Sequence, residues 1–112
     1  MDILKYKPVD TIDVAIKYPD DTDTDITITV AGTHTAQWRT ATAGYDSSTD
    51  TTGARLLAGA TVGWQNLIED GEQIEPTPDN IERVYLLYPW IRNQVEVAIG
   101  DKMRFFPNAA NP

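Results

Sequence analysis

The sequence predicts an α+β domain: an N-terminal β-hairpin packed on a bundle of three or four short helices. Three observations carry that expectation. Two runs near the N-terminus alternate with period two, several later runs hold apolar residues at helical spacing, and turn signals punctuate the boundaries between them. At 112 residues the chain has room for one domain with one modest core. The layout is a hairpin region over 1–32, a short helix and polar loop over 33–52, a helical region over 53–106, and a tail over 107–112 with nothing to bury.

The first strand is read over 12–18. Ile12, Val14, Ile16 and Tyr18 share one face, and Asp13, Ala15 and Lys17 the other. The second, over 26–30, sets Ile26, Ile28 and Val30 against Thr27 and Thr29. Pro19 to Asp25 between them is rich in turn formers, so the pair reads as an antiparallel hairpin with a longish acidic loop. A hairpin alone is marginal in water, so its apolar face must lie on helices or on another chain.

Thr33 can cap a short helix over about 34–43, with His34, Trp38 and Ala41 on one stripe and Gly44 as its left-handed stop. Residues 45–53 are Ser/Thr-rich and read as a loop, the most mobile part of the chain. From Gly53 to Leu67, the residues Leu57, Ala60, Trp64 and Leu67 recur at helical spacing. Gly59 and Gly63 lie four apart on that helix and would admit a close backbone neighbour. Asp70-Gly71 ends the helix in a turn. Thr77-Pro78 restarts one, with a capping hydroxyl followed by a proline at the first helical position. Ile81, Val84, Tyr85 and Tyr88 continue its stripe until Pro89 disfavours helical geometry at Tyr88. Ile91, Val95, Ala98 and Ile99, with Phe106, mark a last helix that Gly100 weakens.

Composition narrows the function classes. There is no cysteine, which removes disulfides, thiolate metal sites and cysteine catalysis. The N-terminus has no apolar core of signal-peptide length, and no run approaches a membrane span. The net charge of −8 makes nucleic acid an unsuitable partner and suits a basic protein partner or plain solubility. Asp21, Asp23 and Asp25 invite a calcium reading, but an EF-hand loop starting there would need Gly and Glu where Ile26 and Gly32 stand. His34, the single histidine, has no zinc co-ligands and no context for a triad. Glu69, Asp70, Glu72 and Glu75 cluster around a glycine turn, a poor place to hold a catalytic carboxylate pair. No phosphate-cradling glycine motif occurs. The expectation is a protein with no catalytic residues, no metal and no cofactor.

Aromatic side chains remain as candidates. Trp64, Tyr85, Tyr88 and Trp90 are the residues expected to contact a partner, since Trp and Tyr are enriched in interface hot spots, and each reads equally as core.

The landmarks Gly63-Trp64, Asp70-Gly71-Glu72, Thr77-Pro78-Asp79-Asn80, Pro89-Trp90-Ile91-Arg92-Asn93-Gln94-Val95 and Phe105-Phe106 occur in one order over residues 60–106. In that order the chain resembles the small tail assembly chaperones of tailed bacteriophages. The resemblance implies a non-enzymatic protein that keeps a hydrophobic tape-measure helix, and tail-tube subunits, soluble in the host cytoplasm until assembly. A minor structural virion protein, capsid-decorating or tail-associated, is the alternative, and homo-oligomerisation is open under both.

Overall fold

A computed structural model describes residues 2–107; the expected tail beyond Pro107 lies outside the described residues. The alternation at the N-terminus produces the expected hairpin, β1 (Thr11–Lys17) and β2 (Asp23–Ala31), paired antiparallel with Val14 opposite Ile28. Val14, Ile16, Ile28 and Val30 are buried on one face. On the other face Thr29 Oγ1 donates to Asp13 Oδ1 at 2.7 Å across the strands. The connecting loop is shorter than expected. Tyr18 N donates to Thr22 O at 2.8 Å, Asp20 Oδ1 accepts from Thr22 N, and Asp21 takes φ of +70°, so β2 begins three residues early.

The first helix, α1 (Ala36–Thr42), is capped by Thr35 and not by Thr33: Thr35 Oγ1 accepts from Trp38 N at 3.2 Å. His34 accordingly sits in the preceding turn, its ring edge-on to Phe105 at 5.9 Å. Gly44 is left-handed as expected. The polar loop folds as successive turns around a buried carboxylate. Asp50 Oδ2 accepts from Arg55 N and Leu56 N at 3.1 and 3.2 Å, capping the next helix, and Tyr45 OH donates to Asp50 O.

The expected helix over Gly53–Leu67 is the main correction. Only Ala54–Ala60 is helical (α2); Thr61–Gln65 is a strand, β3, antiparallel to β2 with Trp64 opposite Ile28. The sheet order is therefore β1-β2-β3. The central strand β2 needs hydrogen-bond partners on both edges, and Thr61-Val62-Gly63 has poor helix propensity; the pairing wins. A bulge at Val62 absorbs the register change, since Thr29 faces Gly63 while Val30 faces Thr61. Of the two glycines expected to admit a neighbour, Gly59 does: a Cβ there would meet Ala41 Cβ at 2.7 Å, so α1 packs tightly on α2. Gly63 lies on β3 with nothing near it.

Asp70-Gly71, read as a helix end, instead joins β4 (Ile68–Glu69) to β5 (Glu72–Gln73). Both turn residues have positive φ, +53° and +80°, as a two-residue hairpin turn requires. Thr77 then caps α3 (Pro78–Leu87), and Pro89 starts α4 (Pro89–Gly100). Pro89 has no N–H to offer Tyr85 O; Arg92 Nη1 donates to that carbonyl at 3.1 Å instead and closes the break. The last helix ends at Gly100. Phe105, in a 3-10 turn over Lys102–Phe105, is buried where Phe106 was expected. A similar turn covers Ile3–Tyr6.

Helix α4 packs on β1 and β2, α2 packs beside β3, and α3 packs across α2 and α4, placing Leu57, Ile81, Val84, Tyr85, Ile91 and Val95 in one core with the strand residues. Tyr85 is completely enclosed, and burial pushes its phenol up to about 12. Its hydroxyl lies 2.7 Å from Thr61 Oγ1, which also bonds Leu57 O at 2.8 Å. The edge of β1 away from β2 is closed by side chains from late in the sequence. Gln94 exchanges two bonds of 2.8 Å with Lys17 N and O, and Arg104 Nη2 donates to Asp13 O at 3.1 Å.

Tyr85→Phe leaves Thr61 bonded to Leu57 O and should cost about 1 kcal/mol, whereas Thr61→Val strands a buried phenol and should cost roughly 1–3 kcal/mol. Urea unfolding of the two single variants and the double variant checks this. The double variant should be less destabilised than the sum of the singles.

Candidate functional site: an aromatic groove with an acidic rim

The Tyr18–Thr22 turn, the β4–β5 hairpin and the α3–α4 break converge on one groove of about 480 Å³. Three different local rules place its walls. Tyr18 is the last apolar residue of the β1 alternation and is half exposed where the strand ends. Ile68 lies on β4, 58% exposed because the two-residue strand has no further layer over it. Tyr88 and Trp90 flank the proline that breaks the helix, so both turn toward this side. Beneath them Leu67, Val84 and Ile91 are buried, with Ile26 partly so.

Two contacts hold the groove's shape. The Tyr18 and Trp90 rings stack at 6.2 Å and 29°, joining β1 to α4. Gln94 supports the same corner, donating to Trp90 O as well as Lys17 O. On the opposite side Glu69 is gripped twice: Tyr88 OH donates to Oε2, and Arg83 Nη1 to Oε1 at 2.9 Å. The Tyr88 hydrogen bond, then the Arg83 one, hold the Glu69 carboxyl below its usual value. The same bond to Glu69, followed by burial, raises the Tyr88 phenol. The trio fastens the β4–β5 hairpin to α3.

Acidic groups edge the apolar surface. Asp25 and Asp70 line the groove and are exposed, and Asp20, Asp21 and Asp23 follow on the adjoining loop and strand. Lys17 pairs with Asp23 at 3.6 Å. The arrangement offers apolar contact surface within a negative field. Among the described residues no three His, Cys, Asp or Glu side chains converge as a metal-holding group, and no helix is long and apolar enough to cross a membrane.

Of the four residues expected to touch a partner, Tyr88 and Trp90 share this groove. Trp64 lines a neighbouring cleft on the other flank of β4–β5, where its indole N–H donates to Ile74 O at 2.7 Å. Tyr85 is corrected: it is enclosed between α3 and the α2–β3 junction and offers no surface to a partner. Tyr18 and Ile68 were missed as site residues. The signal for Tyr18 was its place at the exposed end of an apolar alternation; Ile68 carried no signal while its segment read as helix. Against known proteins, the chain matches no family model, no curated protein and no solved structure.

The trio gives a two-sided pH dependence. Glu69 has a folded-state pKa below its ordinary 4.5, so its contribution is full above that value and lost as pH falls through the lower folded-state value. Tyr88 has a folded-state pKa above its ordinary 10.0, so its contribution is full below that value and lost as pH rises through the higher one. Glu69→Gln should therefore lower Tm at neutral pH. In a thermal-unfolding series the gap from wild type should close on acidification below about 4.5. Tyr88→Phe should show its gap closing on the alkaline side.

Proposed function

We propose that this chain is a non-enzymatic tail assembly chaperone of a tailed bacteriophage, and that the Tyr18–Ile68–Tyr88–Trp90 groove is where it holds its client. The groove carries the proposal: exposed Tyr18 and Ile68 stand beside half-buried Tyr88 and Trp90, with Asp25, Glu69 and Asp70 along the lining. Such a surface suits an amphipathic segment that inserts apolar side chains and lays basic residues along the rim. A long tape-measure helix, insoluble alone, supplies apolar anchors of this kind, and tail-tube subunits before assembly do so too. The order of landmarks over residues 60–106 supports the same family. Two of them now have structural roles at the groove: Pro89-Trp90 forms a wall, and Asp70-Gly71 turns the hairpin that forms another.

The net charge of −8 keeps such a complex soluble and disfavours nucleic acid. The work is done in the host cytoplasm, before the particle is complete. The alternative, a minor virion subunit that joins a neighbour's sheet through its hairpin, would have to displace Gln94 and Arg104 from the β1 edge. That cost favours the groove over the edge as the contact.

Coexpression with the tape-measure protein of the same phage tests the reading. Wild type should keep the client in the soluble fraction, and Tyr88→Ala/Trp90→Ala should release it to the pellet while circular dichroism shows the variant folded. Mass spectrometry of purified particles should find the chain missing or far below stoichiometric amounts. Stoichiometric retention would replace the chaperone with the virion subunit.

A further inference from the structure

The groove has a counterpart at the far end of the same molecule. Ile3–Tyr6 form an ordered 3-10 turn that buries none of its residues: Ile3 is 75% exposed, Leu4 70% and Tyr6 43%. Basic residues accompany them. Lys5 and Lys7 are exposed, with the Lys5 ammonium 5.7 Å from the Tyr6 ring centre. Asp2, the acid of this segment, is engaged in its own cap, accepting from Leu4 N at 3.0 Å. An apolar turn carrying two lysines has the complementary chemistry to an apolar groove rimmed with carboxylates.

The two surfaces stand apart along the hairpin. The chain just after the segment is pinned beside the C-terminal 3-10 turn, where Val9 N donates to Phe105 O at 2.8 Å. The groove lies past the other end of β1, at Tyr18. The seven residues of β1 separate them by about 20 Å, at roughly 3.3 Å per residue. That separation leaves the turn outside its own groove, while the groove of a second molecule is open to it.

We propose that the Ile3–Lys7 segment of one copy docks in the Tyr18–Ile68–Trp90 groove of another, Leu4 and Tyr6 entering between the aromatic walls and Lys5 and Lys7 meeting Asp25, Asp70 and the loop aspartates. The contact is head-to-tail. A pair of copies still has one free segment and one free groove, so growth continues with concentration instead of stopping at a pair. A five-residue segment covers far less than the ~1,200 Å² at which stable interfaces begin, so association is reversible and weakens with added salt. The inference needs only the groove and the segment. It stands whether or not a tail protein is the client, and a client would compete with it.

Sedimentation velocity on the full chain tests it, from micromolar to roughly millimolar protein. Wild type should rise above the 12.4 kDa monomer mass as concentration increases, and fall back toward it in high salt. A segment variant (Leu4→Ser/Lys5→Glu/Lys7→Glu) and a groove variant (Asp25→Lys/Ile68→Ser) change exposed positions only, and each should stay monomeric with a wild-type circular dichroism spectrum. Mixed in equal amounts they should form a complex of twice 12.4 kDa that grows no further, because only one intact segment and one intact groove remain. A wild type that stays monomeric throughout overturns the proposal, and that outcome covers a segment folding onto its own groove. So does either variant associating like wild type, or a mixture that remains monomeric. Failure of client binding in coexpression would leave these outcomes untouched.

Discussion

One buried phenol organises the centre of this molecule. Tyr85 brings a hydroxyl into a core that is otherwise apolar, and a hydroxyl taken from water without a partner costs on the order of 1–3 kcal/mol. Its partner is Thr61, itself tied back to Leu57 O, the carbonyl at the end of α2's first turn. That chain of two bonds sits where the backbone stops being helix and becomes strand. It ties α3 to Thr61, the point where α2 gives way to β3. The groove inherits its geometry from that tie, because Tyr88 follows directly on α3 and β3 leads directly into the β4–β5 hairpin.

Much of this was legible in the residues. Ile12/Val14/Ile16 and Ile26/Ile28/Val30 wrote the hairpin in period two, and Thr77-Pro78 and Tyr88-Pro89 marked one helix start and one helix break. Those signals are local, complete within a few residues. The third strand was not legible because its cause is distant: β2 has a second edge that must be bonded, and Thr61–Gln65 is the segment that chain connectivity brings there. Leu57, Ala60, Trp64 and Leu67 keep helical spacing by coincidence across two elements. Thr61-Val62 and Gly63 were the local hints against helix, and Asp70-Gly71 was a hairpin signature whose flanking strands are only two residues each.

The candidate site shows the same division. Tyr88 and Trp90 stood out in the sequence as large aromatics of the kind enriched at interfaces, and each read equally as core. Tyr85 could not be told apart from them, since an aromatic on an amphipathic stripe looks the same whether a partner or the chain's own strand will cover it. Tyr18 and Ile68 join the groove only through tertiary structure, one from each hairpin. Asp25, at the end of the acidic stretch, lines an apolar surface with Asp70 from the second hairpin, a juxtaposition that composition alone does not give.

The guarding of β1 also says something about the order in which this protein becomes safe. Gln94 and Arg104, which occupy its outer edge, are translated 77 and 91 residues after the positions they cover. At about 5–20 residues per second, a ribosome leaves that strand unshielded for several seconds or more. Throughout that interval the nascent chain carries a bare β-edge, and Asp13 and Lys17 on the strand, with the aspartates of the turn that follows it, are the charges at hand to discourage stacking with neighbouring nascent chains.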